Sequence, residues 1–193
     1  VLGTLQALPA ATPAASALLG AVAEGTVATV AWTTHEDLWG VPGSVRAAAP
    51  SEGAPSAGAQ VTLTGEVSAV LSPEAAHVLV LAEAPGGPAA PGGPLLVAVD
   101  AGAAGLTRTS LPVLDLTRRI AKVTFAATPA RLVGAAGGAA AILDRVLDVA
   151  TTALAAEQVG AARACLEAST TYAKDRVQFG RQIGTFQAVK HKA

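Results

Sequence analysis

The sequence predicts an α+β protein in which an antiparallel β-domain, barrel- or sandwich-like, leads into the first helices of a helical bundle. Three observations carry that expectation. From Gly25 to about Thr128, short runs rich in Val, Leu and Thr are punctuated by Pro, Gly and Ser clusters, the pattern of paired strands. After Gly137-Gly138, apolar residues recur every three or four positions with no proline among them, the pattern of a long helix. Ahead of both, the first 23 residues carry no charge and are rich in alanine. The expected divisions are 1–24, the end of a helical region; 25–130, a middle β-domain; and 131–193, the start of a helical domain.

Taken in order, Ser16 to Ala23 is expected to form a short packed helix. Strands are expected over Thr26–Thr33, Gly43–Ala49, Ala59–Thr64, Val67–Leu71, His77–Ala82, Pro94–Val99, Leu106–Thr109 and Ile120–Ala126. The alternation Val61-Thr62-Leu63-Thr64 is the clearest, and Gly65-Glu66 after it reads as a turn. Pro50 to Ala57 and Ala84 to Gly93 read as loops; the second has four glycines and no lysine, which suits a hairpin tip better than a phosphate cradle. Thr107-Arg108 and Arg118-Arg119 fall near strand ends and are expected in solvent.

The long helix is expected from about Ala139 to Asp175, with Ile142, Leu143, Val146, Leu147, Val149, Leu154, Val159, Ala162, Cys165 and Leu166 on its apolar side. Gly180 reads as its stop signal and Gly184-Thr185 as the start of a second helix. Lys174, Arg176 and Arg181 gather near the carboxyl end, where positive charge offsets the helix dipole.

Composition narrows the chemistry. The chain is 51% hydrophobic, but about a quarter of it is alanine and only 3% is aromatic, so Leu and Val must fill the core. With 13 basic and 14 acidic residues there is no net field to gather nucleic acid. One cysteine, Cys165, permits no internal disulfide and no thiolate zinc cluster, which fits a reducing, cytoplasmic setting. It reads as a small core residue rather than a nucleophile. His35, His77 and His191 lack the spacing of a helical metal pair. The amino-terminal run has no basic segment and is interrupted by Pro9 and Pro13, so it is a poor secretion signal, and no stretch reaches the roughly 20 strongly apolar residues of a membrane span. The chain starts at Val1, contains no Met and stops in what reads as a helix in progress, so it is expected to be a piece of a longer protein.

The segment Ala155 to Lys192 carries the most specific signal. Within it Tyr172-Ala173, Arg176, Phe179-Gly180, Ile183 and Phe186-Gln187-Ala188 occur in an order and spacing that resemble the acyl-CoA dehydrogenase family. An arginine offers a planar fork that suits phosphate oxygens, and from its residue type alone Arg176 can equally be a helix-end cap. The resemblance implies more. In the family this segment reaches across a subunit interface to FAD held mainly by the partner chain, which would give cofactor roles to Arg176, Gln178, Phe179, Phe186 and Gln187. It also implies an acyl-CoA substrate, a protein that accepts the electrons, and a homo- or hetero-oligomer, dimer or tetramer.

Other positions depart from the family pattern. Its usual catalytic base lies beyond Ala193, and the position used by some members falls at about Ala150, which cannot abstract a proton; the arginine expected next is Thr151. Asp148 matches an aspartate that can touch CoA, or it is a solvated helix carboxylate. Of the Thr-Glu-Pro stretch that lines the flavin, only Thr33 survives in Thr33-Thr34-His35-Glu36-Asp37-Leu38, and the stretch that covers the ring becomes Ala69-Val70-Leu71. Trp32 and Trp39 read as packing residues ahead of flavin stackers.

Two functions follow from the resemblance. One is FAD-dependent α,β-dehydrogenation of an acyl-CoA thioester from fatty acid or steroid side-chain breakdown. The other is a non-catalytic partner subunit that lends Arg176 to a neighbour's FAD. A third, unrelated reading takes Gly134 to Gly138 as a phosphate-binding turn, but the Gly-x-Gly-x-x-Gly order is missing.

Overall fold

A computed structural model describes residues 12–32, 45–49, 56–84 and 93–192. Thr33, Trp39 and most of the two expected loops lie outside the described residues. The chain forms two compact units, Val1–Val146 and Leu147–Ala193.

The first unit is an α+β arrangement around one curled sheet. Helix α1 spans Pro13–Ala23. It starts earlier than expected because Thr12-Pro13 is a helix-opening pair: the Thr12 hydroxyl accepts from Ala15 N, and proline at the first position loses no helical hydrogen bond. The same hydroxyl donates to Val133 O at 2.5 Å and ties the helix start to the end of the last strand.

The strands are β1 (Ala28–Ala31), β2 (Val45–Ala48), β3 (Gln60–Leu71), β4 (His77–Ala82), β5 (Leu95–Asp100), β6 (Leu106–Ser110) and β7 (Ile120–Leu132). Their order is β1-β4-β5-β7-β3-β2, with β6 also on β7. All pairings are antiparallel except β1–β4, which is parallel. Edge strand β2 also reaches the residue after β4, where Ala47 N donates to Glu83 O and Glu83 N to Val45 O, so the sheet curls toward closure.

Burial explains the sequence pattern. In β4, Val78, Val80 and Ala82 enter the cluster inside the curl, while Leu79 and Leu81 enter a second cluster with α1 and residues 139–146. Both faces are covered, so the strand is an unbroken apolar run. In β3, Val61 and Leu63 point inward and Thr62 and Thr64 face water, which is the alternation of a half-covered sheet. Trp32 packs against the second cluster, as a packing residue should.

Three expectations need correction here. Gly65-Glu66 is not a turn: β3 runs continuously through it and bends at two bulges against β7, between Leu63 and Gly65 and between Val67 and Val70. The extra residues are Ala127 on β7 and Ala69 on β3, both at positive φ, and the second bulge returns the register that the first displaces. Strand β7 continues past Ala126 through Pro129. Leu132 N donates to Ala59 O, so by strand alternation the Pro129 nitrogen faces away from β3, where no donor is needed. Arg108 is not solvated: it is half-buried and donates to Ala75 O at 3.1 Å.

The long helix, α2, spans Ala139–Asp175, the range its periodicity predicts. Ala139 and Ile142 are buried in the second cluster of the first unit. Farther along, Val149, Leu154, Val159, Leu166 and Cys165 are exposed, so the expected apolar side, Cys165 included, carries no partner among the described residues. No helix among the described residues is long and apolar enough to cross a membrane.

Candidate functional site

The second unit ends in a tightly organised segment. Helix α2 stops at Asp175 as expected, and Gly180, read as its stop signal, lies five residues farther on in a turn. Arg176 is held on both sides by its backbone: its N–H donates to Tyr172 O and its O accepts from Ile183 N, each at 2.9 Å. Strands β8 (Val177–Gln178) and β9 (Arg181–Gln182) then form a minimal hairpin with Gln178 opposite Arg181. Its two turn residues, Phe179 and Gly180, have φ of 55° and 75°, the signature of a type I′ turn.

Gly180 suits that turn; Phe179 does not. A residue with a Cβ in the left-handed region costs about 1–2 kcal/mol, and the Phe179 side chain is 92% exposed, so burial does not compensate. Its ring instead meets Phe186 edge to face, with centroids 6.2 Å apart and planes at 89°. Such pairs contribute about 0.5–1.5 kcal/mol beyond area burial. The Arg181 guanidinium lies over the Phe186 ring, 4.0 Å from its centroid.

Phe186 is itself fixed. A short 3-10 turn, Ile183–Thr185, replaces the helix start expected at Gly184, and helix α3, Gln187–Lys190, follows. Phe186 O accepts from Val189 N and Lys190 N, and Phe186 N donates to Ile183 O. Gly184 allows the close approach to α2: a Cβ there would stand 2.8 Å from Ala173 O. Ala173 is accordingly buried.

The expected site residues therefore fall in three places. Arg176, Gln178, Phe179, Phe186 and Gln187 share the hairpin segment, and of these only Phe186 is half-buried while the others are exposed. Asp148 is exposed on α2, 27 residues before the helix end, which at 1.5 Å per residue is roughly 40 Å away. It cannot share a ligand contact with this chain's own hairpin. Thr33 lies outside the described residues. Ala69 sits on the second bulge with its side chain exposed, and Leu71 is half exposed.

The donor set suits a dinucleotide. Among the described residues Arg176 makes no ion pair, so its five N–H donors are available to phosphate oxygens. Gln178 and Gln187 add primary amides, and Phe179 adds an open aromatic face. Sequence reasoning passed over Arg181; the signal was an arginine two residues past a Phe and five before another. No group of His, Cys, Asp and Glu among the described residues is arranged for a metal.

A curled β-sheet followed by a long helix and a short hairpin is the fold of solved acyl-CoA dehydrogenases, among them that of Geobacillus kaustophilus, with a TM-score of 0.82 over 100% of this chain and 51% of the other at 20% identity. Residues 133–193 match the family described as acyl-CoA dehydrogenase, C-terminal domain. The chain is 48% identical over 81 residues to the acyl-CoA dehydrogenase IpdE2 of Mycolicibacterium smegmatis, a stretch covering 42% of this chain and 23% of that protein. Among solved structures, it is similar to a variant of the Tcur3481–Tcur3483 steroid ACAD, with a TM-score of 0.73 and 34% identity over 99% of this chain and 48% of the other. It is also similar to the ChsE4–ChsE5 complex of Mycobacterium tuberculosis, with a TM-score of 0.75 and 25% identity over 100% of this chain and 48% of the other. Over these stretches the chain is similar to acyl-CoA dehydrogenases. It spans about half the length of these solved relatives and matches under a quarter of the curated one.

Proposed function

We propose that the protein acts in FAD-dependent α,β-dehydrogenation of an acyl-CoA thioester, from a fatty acid or a steroid side chain. It would do so as one subunit of a cytoplasmic oligomer that passes electrons to an acceptor protein. The observation that carries this reading is the hairpin: an unpaired Arg176 held by two backbone bonds beside an exposed, conformationally costly Phe179. A strained exposed residue is maintained where it serves a contact.

In this reading Arg176 grips the diphosphate of the FAD of a neighbouring subunit, Gln178 and Gln187 donate to its oxygens, and Phe179 and Phe186 present flat surface to it. FAD, when bound, supplies acceptance of the substrate β-hydrogen as hydride. Asp148, remote on α2, accepts from donor groups of CoA in a separate contact, and Thr33 contributes on the flavin side. The functional divisions are 1–24, 25–130 and 131–193, as the sequence suggests.

A second reading, a non-catalytic partner subunit whose Arg176 serves the other subunit's FAD, is favoured by a specific observation. The positions that the resemblance puts over the flavin ring, Ala69 and Leu71, offer no polar group to it. The similarity to the ChsE4–ChsE5 complex, an assembly of two different chains, supports the same idea. The experiment is to purify the full-length protein alone and with its natural partner chain, and to record the flavin absorbance before and after an acyl-CoA is added. A flavin band bleached by acyl-CoA in the protein alone establishes the first reading; a band only in the two-chain assembly establishes the second; no band in either refutes both.

A further inference from the structure

We propose that Arg181 is a positioning residue for the FAD-facing hairpin: its guanidinium, stacked on Phe186, holds the ring against which Phe179 is kept in its left-handed turn. This rests on the cross-subunit reading of Arg176. The geometry is a chain of three contacts. Arg181 covers the face of Phe186 at 4.0 Å, Phe186 meets Phe179 at right angles, and Phe179 supplies the first turn residue. A guanidinium over an aromatic face is attracted by the ring quadrupole, and its planar shape also packs there as lysine does not.

Register ties this stack to the ligand donors. Gln178 lies directly opposite Arg181, so both side chains project from one face of the two-stranded ribbon. Without Arg181, Phe186 keeps its backbone bonds to Ile183, Val189 and Lys190, so the fold of the segment survives. What is lost is the cover that holds the Phe186 ring against Phe179, whose left-handed conformation is costly. Loosening that turn moves Gln178 and Phe179 away from the geometry in which they meet the dinucleotide, and FAD capture weakens though Arg181 touches no ligand atom.

The test uses the full-length protein and two readouts. Phe179 is exposed in the chain by itself, so the rate of chymotrypsin cleavage after it, measured on the protein purified alone and without flavin, reports the opening of the turn. Flavin retained per assembly reports the ligand side. Arg181→Ala should raise cleavage at Phe179 at least fivefold and lower retained flavin severalfold, with Tm unchanged. Arg181→Lys, which keeps the charge and loses the planar stack, should recover less than half of either effect. Arg176→Ala should lower flavin with cleavage unchanged. Cleavage unaffected by Arg181→Ala overturns the clamp, as does full flavin recovery in Arg181→Lys, which would mark Arg181 as a simple charge. Undiminished flavin in Arg176→Ala instead refutes the cross-subunit reading, and the clamp then stands or falls on cleavage alone.

Discussion

Replacing Gly184 by alanine tests whether the hairpin segment is seated on α2 as tightly as its geometry states. The added Cβ would lie 2.8 Å from Ala173 O and 3.3 Å from the Ala173 carbonyl carbon. Ordinary contact with that oxygen needs about 3.4 Å, so the segment must withdraw by roughly 0.6 Å. Ala173 sits in the last turn of α2, and its carbonyl cannot yield without disturbing the helix end. Overpacking of this kind costs about 1–3 kcal/mol. Withdrawal also lengthens the bond from Ile183 N to Arg176 O. The control is Gly102→Ala, where a Cβ meets open space at an ordinary φ; shortening the unfolded chain's freedom there should stabilise by about 0.4–1 kcal/mol. Urea unfolding followed by circular dichroism reads both. With a slope of about 1–3 kcal/mol per molar, Gly184→Ala should lower the midpoint by roughly 0.5–1.5 M and Gly102→Ala should not lower it. A Gly184→Ala midpoint equal to or above that of the unaltered protein refutes the close seating.

Two further outcomes follow from the first unit. Phe125→Ala removes the largest fully buried side chain of the inner cluster and should cost about 3–5 kcal/mol in the same urea assay; a loss under 1 kcal/mol would mean the curl is not packed around it. Asp115 accepts from the Thr117 hydroxyl and from the Thr117 N–H, which hold its carboxyl below the ordinary aspartate value, with a smaller pull from Arg118. A carboxyl lowered in the folded state stabilises above its unfolded pKa, and that contribution disappears as pH falls through the lower folded value. Carboxyl-carbon NMR should show Asp115 titrating below an ordinary aspartate, and Thr117→Ala should move it back up; an unmoved titration would remove the hydroxyl as the main cause.

Much of the fold is legible in the sequence. His77–Ala82 and the 37-residue span of α2 match their patterns to the residue, because a doubly covered strand reads as one short apolar run and a proline-free helix repeats its apolar residues every three or four positions. The misses have one physical origin, local backbone conformations that no periodicity encodes. Alanines at positive φ let β3 and β7 bend through residues that look like a turn, and Pro129 sits in a strand because its nitrogen faces away from its partner. At the site, the motif brought Arg176, Phe179 and Phe186 to attention as a family pattern. That Phe179 is a strained turn residue, that Arg181 stacks on Phe186, and that Asp148 lies some 40 Å away along α2 are facts of three-dimensional placement. Apolar spacing also promised α2 a covered side, whereas the described residues leave it open from Val149 to Leu166.

The central claim is that Arg176 of this chain holds the FAD of a neighbouring subunit. Its most direct test is the flavin dissociation constant of the full-length assembly carrying Arg176→Ala in this chain alone, measured across a series of salt concentrations. A lost charge-assisted phosphate contact of about 1.5–3 kcal/mol weakens binding roughly 10- to 150-fold and flattens its dependence on salt. Equal affinity and equal salt dependence in the altered and unaltered assemblies would contradict the claim.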